Sequence, residues 1–143
     1  MWFFKFLFTE TARLLRSAEG RRLLWLAIQY GDRPRNQSGD VTFGQYHFRV
    51  PDALSFVWQY REIFVDEFYR FTPSTPNPVI FDCGTNIGTS VAYFREHYPT
   101  ARIVAFEADE QISATLQDNL SRNQISGVEI ITKAVWTNEE GIW

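Results

Sequence analysis

The spacing of apolar positions divides the chain into two halves of different character. Over the first thirty residues the spacing is helical. Leu14, Leu15, Ala18, Arg22, Trp25, Leu26 and Tyr30 fall mostly on one stripe. Ser17 suits the start of a second helix, and Gly31 followed by Pro34 suits its end. Residues 33–40 read as loop. Val41-Thr42-Phe43 and Tyr46-His47-Phe48-Arg49-Val50 then alternate apolar and polar about Gly44-Gln45, which predicts a β-hairpin. His47 and Arg49 fall on the face opposite Tyr46, Phe48 and Val50, so His47 reads as a solvent-side strand residue. Phe56, Val57, Tyr60, Ile63, Phe64 and Phe68 recur at three and four, which predicts a helix over 54–71 in one or two pieces. Three prolines between Thr72 and Pro78 forbid regular structure there. They place a boundary between an N-terminal accessory region, 1–75, and a second region, 76–143.

Beyond Pro78 the pattern becomes strand–helix alternation. Val79–Asp82 is a short apolar run of the kind expected of a strand buried on both faces. Helix is predicted over Thr89–Tyr98, strand over Arg102–Glu107, helix over Glu110–Asn123 and strand over Val128–Val135. Ile112, Leu116 and Leu120 share one face of the second helix. The order βαβαβ implies a parallel sheet with right-handed crossovers. Gly141-Ile142-Trp143 reads as the start of a further strand. The fold class is therefore α/β, a Rossmann-like parallel sheet behind a helical and hairpin region.

Composition narrows the chemistry. The chain has 143 residues, 45% apolar and 22% charged, which excludes wholesale disorder. One Cys excludes a disulfide framework or a Cys-rich zinc site, and two distant His residues offer no metal signature. The net charge of −3 lacks the basic footprint of a nucleic-acid binder. Seven Lys/Arg against four Asp/Glu in residues 1–40 could favour an anionic membrane surface. A solvated face is the better reading of so mild a bias. Trp2–Phe8 and Leu23–Ile28 are far shorter than the ~20 residues that span a bilayer. Trp2–Phe8 also lacks the flanks of a signal peptide, so the expected location is cytoplasmic.

The candidate chemistry lies in Asp82-Cys83-Gly84-Thr85-Asn86-Ile87-Gly88, between a strand and a helix, with Glu107 at the end of the next strand. In open α/β sheets ligands bind outside the carboxyl ends of the strands. Gly84 and Gly88 permit a sharp turn and close approach of a ligand. Glu107 lies about where a ribose-binding acid follows a nucleotide loop, and a carboxylate has acceptor sites on two oxygens. The spacing G-x-x-x-G differs from the G-x-G-x-x-G of pyrophosphate loops. Asp82 would repel a phosphate and attract an ammonium. S-adenosylmethionine, with an α-amino group, a ribose and no phosphate, suits this charge layout. An NAD-dependent oxidoreductase or epimerase is the rival enzyme, and a peripheral membrane or partner-binding module the rival non-enzyme. Cys83 reads as packed against the sheet, His97 as a helix-end group, Asp109 as a helix N-cap, and Asn119 and Asn123 as structural.

Val79–Gly88 (VIFDCGTNIG), Tyr93-Phe94, Tyr98-Pro99, Ile103–Glu107, Leu116 to Asn119, Asn123 and Ala134-Val135-Trp136 together resemble the FkbM family, a branch of the class I S-adenosylmethionine-dependent methyltransferases. Tyr60–Phe64 resembles the segment that precedes the sheet in such proteins. The resemblance implies methyl transfer to oxygen, on a sugar or other secondary metabolite, with a small-molecule or glycan acceptor. It implies that Asp82, Gly84, Thr85, Asn86 and Gly88 surround the methionine part, that Glu107 takes the ribose, with Ala108 beside it, and that residues near Ala134 lie beside the adenine. Ala108 stands where the family usually has Pro, which removes stiffness from the loop. The sequence supplies three strands and the start of a fourth, fewer than the family's sheet, so an incomplete C-terminal side is expected. No residue offers itself as the general base.

Overall fold

The computed structural model describes residues 10–137. The Trp2–Phe8 run and the strand start at Gly141–Trp143 lie outside them. The chain forms two compact units, Met1–Arg70 and Phe71–Trp143.

In the first unit residues 10–16 are helical, the chain breaks at Ser17, and α1 runs Ala18–Tyr30. The Ser17 side chain accepts from Gly20 N at 2.9 Å and caps α1. Gly20 is needed there: a Cβ would lie 2.2 Å from the Leu14 carbonyl oxygen. The break puts the two helical segments out of phase. Leu23, Leu26 and Tyr30 turn inward, while Leu15 and Trp25 stay exposed, so of the stripe expected from the sequence only Leu26 and Tyr30 are buried.

Strands β1 (Gly39–Phe43) and β2 (Tyr46–Val50) form the expected hairpin, closed by the pair Phe43–Tyr46. Gly44 takes the turn at φ +56°. Tyr46, Phe48 and Val50 are buried and His47 is exposed. Helix α2 runs Ala53–Tyr60, capped by Asp52, whose side chain accepts from Ser55 N at 2.7 Å. Phe43 anchors an aromatic core, its ring 5.1 Å from those of Phe48 and Phe56 and 5.7 Å from those of Tyr60 and Phe64. The Tyr60 hydroxyl donates to Glu19, whose carboxylate also accepts from Arg22, which ties α1 to α2. Burial, with Glu19 beside it, pushes that hydroxyl far above its ordinary pKa.

The helix expected over 54–71 forms in two pieces and ends early. A π-helical turn at Arg61–Val65 follows α2, and Glu67 at φ +51° stops the helix. The wider turn and the stop leave Phe68 exposed.

The second unit has the expected alternation: β3 (Val79–Cys83), α3 (Thr89–His97), β4 (Arg102–Phe106), α4 (Glu110–Arg122) and β5 (Val128–Ile131). The sheet is parallel, in the order β3-β4-β5. Asp109 caps α4, accepting from Gln111 N and Ile112 N. Leu116 and Leu120 of α4 are buried. Just before the proline-rich segment Phe71 packs on Tyr98, whose hydroxyl donates to the Phe71 carbonyl at 2.7 Å while the two rings stack at 4.3 Å.

Two expectations fail here. β3 is not buried on both faces: Ile80 and Asp82 turn inward, whereas Val79 is 55% and Phe81 66% exposed. With strand order advancing one way, right-handed crossovers carry α3 and α4 to the same face, which leaves the other without a helix among the described residues. β5 is also shorter than Val128–Val135. Lys133 N turns back to the Ile131 carbonyl at 2.9 Å, so Ala134 and Val135 leave the strand line. Among the described residues no helix is long and apolar enough to cross a membrane.

Candidate functional site

The carboxyl ends of all three parallel strands meet at a cavity of about 280 Å³. Cys83 and Gly84 come from the end of β3, Phe106, Glu107 and Ala108 from the end of β4, and Lys133, Ala134 and Val135 from the segment after β5. Parallel strands in register bring their carboxyl ends level, and there the chain must leave the sheet, so loop residues line the depression.

The loop from β3 to α3 is tightly held. Its N–H groups at Gly84 and Thr85 both donate to the Phe106 carbonyl, at 2.9 and 3.0 Å. The next, at Asn86, donates to Glu107 Oε2 at 2.9 Å. Gly84, Asn86 and Gly88 all have positive φ, at +83°, +54° and +95°. Two are glycines, which take that conformation without strain. The Thr85 hydroxyl donates to the Asp82 carbonyl at 2.8 Å, and Asn119 of α4 donates from Nδ2 to the Ile87 carbonyl at 3.0 Å.

Of the residues singled out by sequence, Gly84, Glu107, Ala108 and Ala134 line the cavity. Asp82, Thr85, Asn86 and Gly88 are not on its wall; Asp82, Thr85 and Gly88 are buried beneath it. Asp82 Oδ2 accepts from the Ser90 hydroxyl at 2.6 Å, under the first turn of α3. Burial raises the Asp82 carboxyl above its ordinary pKa, against the opposing hydrogen bonds of Ser90 and Thr85. Glu107 is half-buried; its second oxygen, Oε1, accepts from Asp109 N at 3.0 Å.

Cys83 corrects the sequence reading. It is exposed on the cavity wall, because the alternation of β3 sends 79, 81 and 83 to the open face. His97 stacks on Tyr93 at 4.1 Å and makes a 3.0 Å contact from Nδ1 to the Tyr93 carbonyl. Sequence reasoning missed Phe106 as a wall residue and covered Lys133 and Val135 only as neighbours of Ala134. The signal lay in topology: Lys133 leaves the third strand as Gly84 and Glu107 leave the first two. Among the described residues no group of three or more His, Cys, Asp or Glu is placed to hold a metal ion.

No known family model matches the chain. It is 36% identical over 70 residues to Methyltransferase 1 of Beauveria bassiana, a match covering 49% of this chain and 28% of that protein. It is 34% identical over 70 residues to the 31-O-demethyl-FK506 methyltransferase FkbM of Streptomyces tacrolimicus, covering 48% of this chain and 27% of that one. The chain resembles FkbM-type methyltransferases. The match spans little more than a quarter of these relatives' length. The SAM-dependent methyltransferase from Agrobacterium tumefaciens superposes with a TM-score of 0.50 at 10% identity, over 71% of this chain and 34% of that one. That likeness establishes the fold, a Rossmann-like α/β sheet of the methyltransferase type.

Proposed function

We propose that this chain carries the cofactor-binding part of an S-adenosylmethionine-dependent methyltransferase. One observation carries the reading: the loop after β3 has already committed its N–H groups. Those of Gly84, Thr85 and Asn86 all donate to the end of β4, two to the Phe106 carbonyl and one to Glu107. A pyrophosphate loop needs such groups free to face the ligand. A carboxylate stands here instead. The arrangement supports a nucleoside cofactor with a positive charge and no phosphate, and disfavours NAD.

The residues fit such a group. A Cβ at Gly84 would meet nothing within 4 Å, so the backbone there borders open space. Glu107 has two amides on its carboxylate, one per oxygen, and a carboxylate offers about four acceptor sites. One acceptor direction on each oxygen is left for a vicinal diol, as a ribose presents. Ala108 and Ala134 border the cavity with small apolar side chains suited to the adenine. Asp82, with Thr85, Asn86 and Gly88, shapes the loop from beneath and adds negative charge near the methionine ammonium. When bound, S-adenosylmethionine supplies an electrophilic methyl group. The chain's part is to orient the nucleoside and exclude water from one side. The proposal assigns no general base.

The acceptor we propose is a hydroxyl of a small molecule or glycan, in the cytoplasm. The name of the Streptomyces relative, an O-methyltransferase, supports oxygen as the acceptor atom. Isothermal titration of the chain with S-adenosylhomocysteine and with NAD tests the reading. Binding of S-adenosylhomocysteine without NAD is expected; tighter binding of NAD would overturn it.

A further inference from the structure

We propose that Glu107 is a positioning residue that staples the two loops flanking the cavity, in addition to any contact with ligand. Its Oε2 holds Asn86 N in the β3–α3 loop and its Oε1 holds Asp109 N at the start of α4. Asp109 in turn caps α4 through its own side chain. One carboxylate thus fixes the loop below the cavity and the helix start beside it.

The staple acts at a left-handed position. Asn86 is the one non-glycine among the three left-handed residues of its loop, a conformation that asparagine takes less freely than glycine. Gly84 and Thr85 are held by a backbone carbonyl that no substitution removes. The Asn86 contact depends on a side chain. With Glu107 in place the loop is formed before ligand arrives, and each carboxylate oxygen keeps an acceptor direction for the ligand. The consequence for affinity rests on the function proposed above; the staple does not.

Glu107→Gln separates positioning from ligand contact. Glutamine has one acceptor oxygen and one donor NH₂, so one of the two amides must face a donor. Amide hydrogen exchange measured by NMR without ligand should show the Asn86 or Asp109 amide exchanging at least tenfold faster in E107Q, with Gly84 and Thr85 unchanged. Wild-type exchange at both amides would overturn the proposal. Should E107Q fail to fold, Asn86→Gly is the second variant. It keeps the N–H and relieves the backbone, so the amide at position 86 should stay protected; loss of protection there would overturn the staple. Titration with S-adenosylhomocysteine and its 2′,3′-dideoxy analogue gives the readout that a pure ligand role would not move. The staple predicts that E107Q weakens even the dideoxy ligand tenfold or more, and an unchanged dideoxy affinity refutes it. Absence of any binding to the wild-type chain would refute the methyltransferase reading, leaving the exchange data to decide the staple.

Discussion

Asn119 offers the sharpest test of how the cofactor loop is held. It is fully buried in α4, and its Nδ2 donates to the Ile87 carbonyl, with Ile87 itself 2% exposed. Asn119→Ala removes the donor and strands that carbonyl. A buried acceptor left unpaired costs about 1–3 kcal/mol, and the small void adds ~1 kcal/mol. The expected loss is therefore about 2–4 kcal/mol, a large share of the roughly 5–15 kcal/mol of a whole domain. Asn119→Leu fills the void but still strands the carbonyl, so it should fall short of wild type by about 1 kcal/mol less. Urea unfolding followed by circular dichroism at pH 7 reads both. If the loop releases before the domain unfolds, the cost appears in affinity instead, where 2 kcal/mol is about 30-fold for S-adenosylhomocysteine. Wild-type stability within about 0.5 kcal/mol, together with wild-type affinity in Asn119→Ala, would refute the reasoning.

Cys83 is the sequence's one cysteine and stands exposed on the cavity wall. A maleimide should label it in the native chain, and saturating S-adenosylhomocysteine should slow the labelling seen by mass spectrometry; an unchanged rate would take Cys83 out of the site. Asp82→Asn should weaken S-adenosylhomocysteine more than adenosine, which lacks the ammonium, in parallel titrations. Equal losses would mean that Asp82 acts only through Ser90 and the loop. In the first unit, N–H groups of Ser55 and Asn36, with Arg35, hold the Asp52 carboxyl well below the usual carboxylate range. Its stabilisation is therefore present above the unfolded value near 4 and lost as pH falls below it. Asp52→Asn should lower stability at pH 7 and flatten the acid limb below about pH 4, which thermal melts across that range would check.

The strand–helix alternation was legible because turn residues punctuate it. Ser17 and Asp109 announce helix starts through short acceptor side chains that reach the first-turn N–H groups, and both do. The cavity lies at the carboxyl ends of the parallel strands, where the topology makes the chain leave the sheet, and Gly84 and Glu107 line it. Other features left no mark in the residue pattern. Val79-Ile80-Phe81 reads the same whether one face is covered or two, since an apolar run carries no alternation. The π-helical turn at Arg61–Val65 inserts one residue into a helical period, a shift smaller than the tolerance of the pattern. The end of β5 is set by one backbone bond from Lys133 to Ile131, which side-chain chemistry does not encode. That bond decides which residues form the third wall of the cavity.

The strand order has a consequence for how the second unit comes into being. Val79 pairs with Arg102 and Ile103 with Val128, so each pairing closes over roughly two dozen residues of chain. Among the described strands none must wait for a distant partner or slip between two already placed. On a ribosome, β4 can join β3 as soon as α3 has emerged, and β5 can join β4 one helix later. Such local closure favours fast formation for a parallel sheet, whose long-range pairings otherwise slow it. Over these three strands the newest is at each stage the growing edge, so this part of the sheet lengthens in the direction of synthesis.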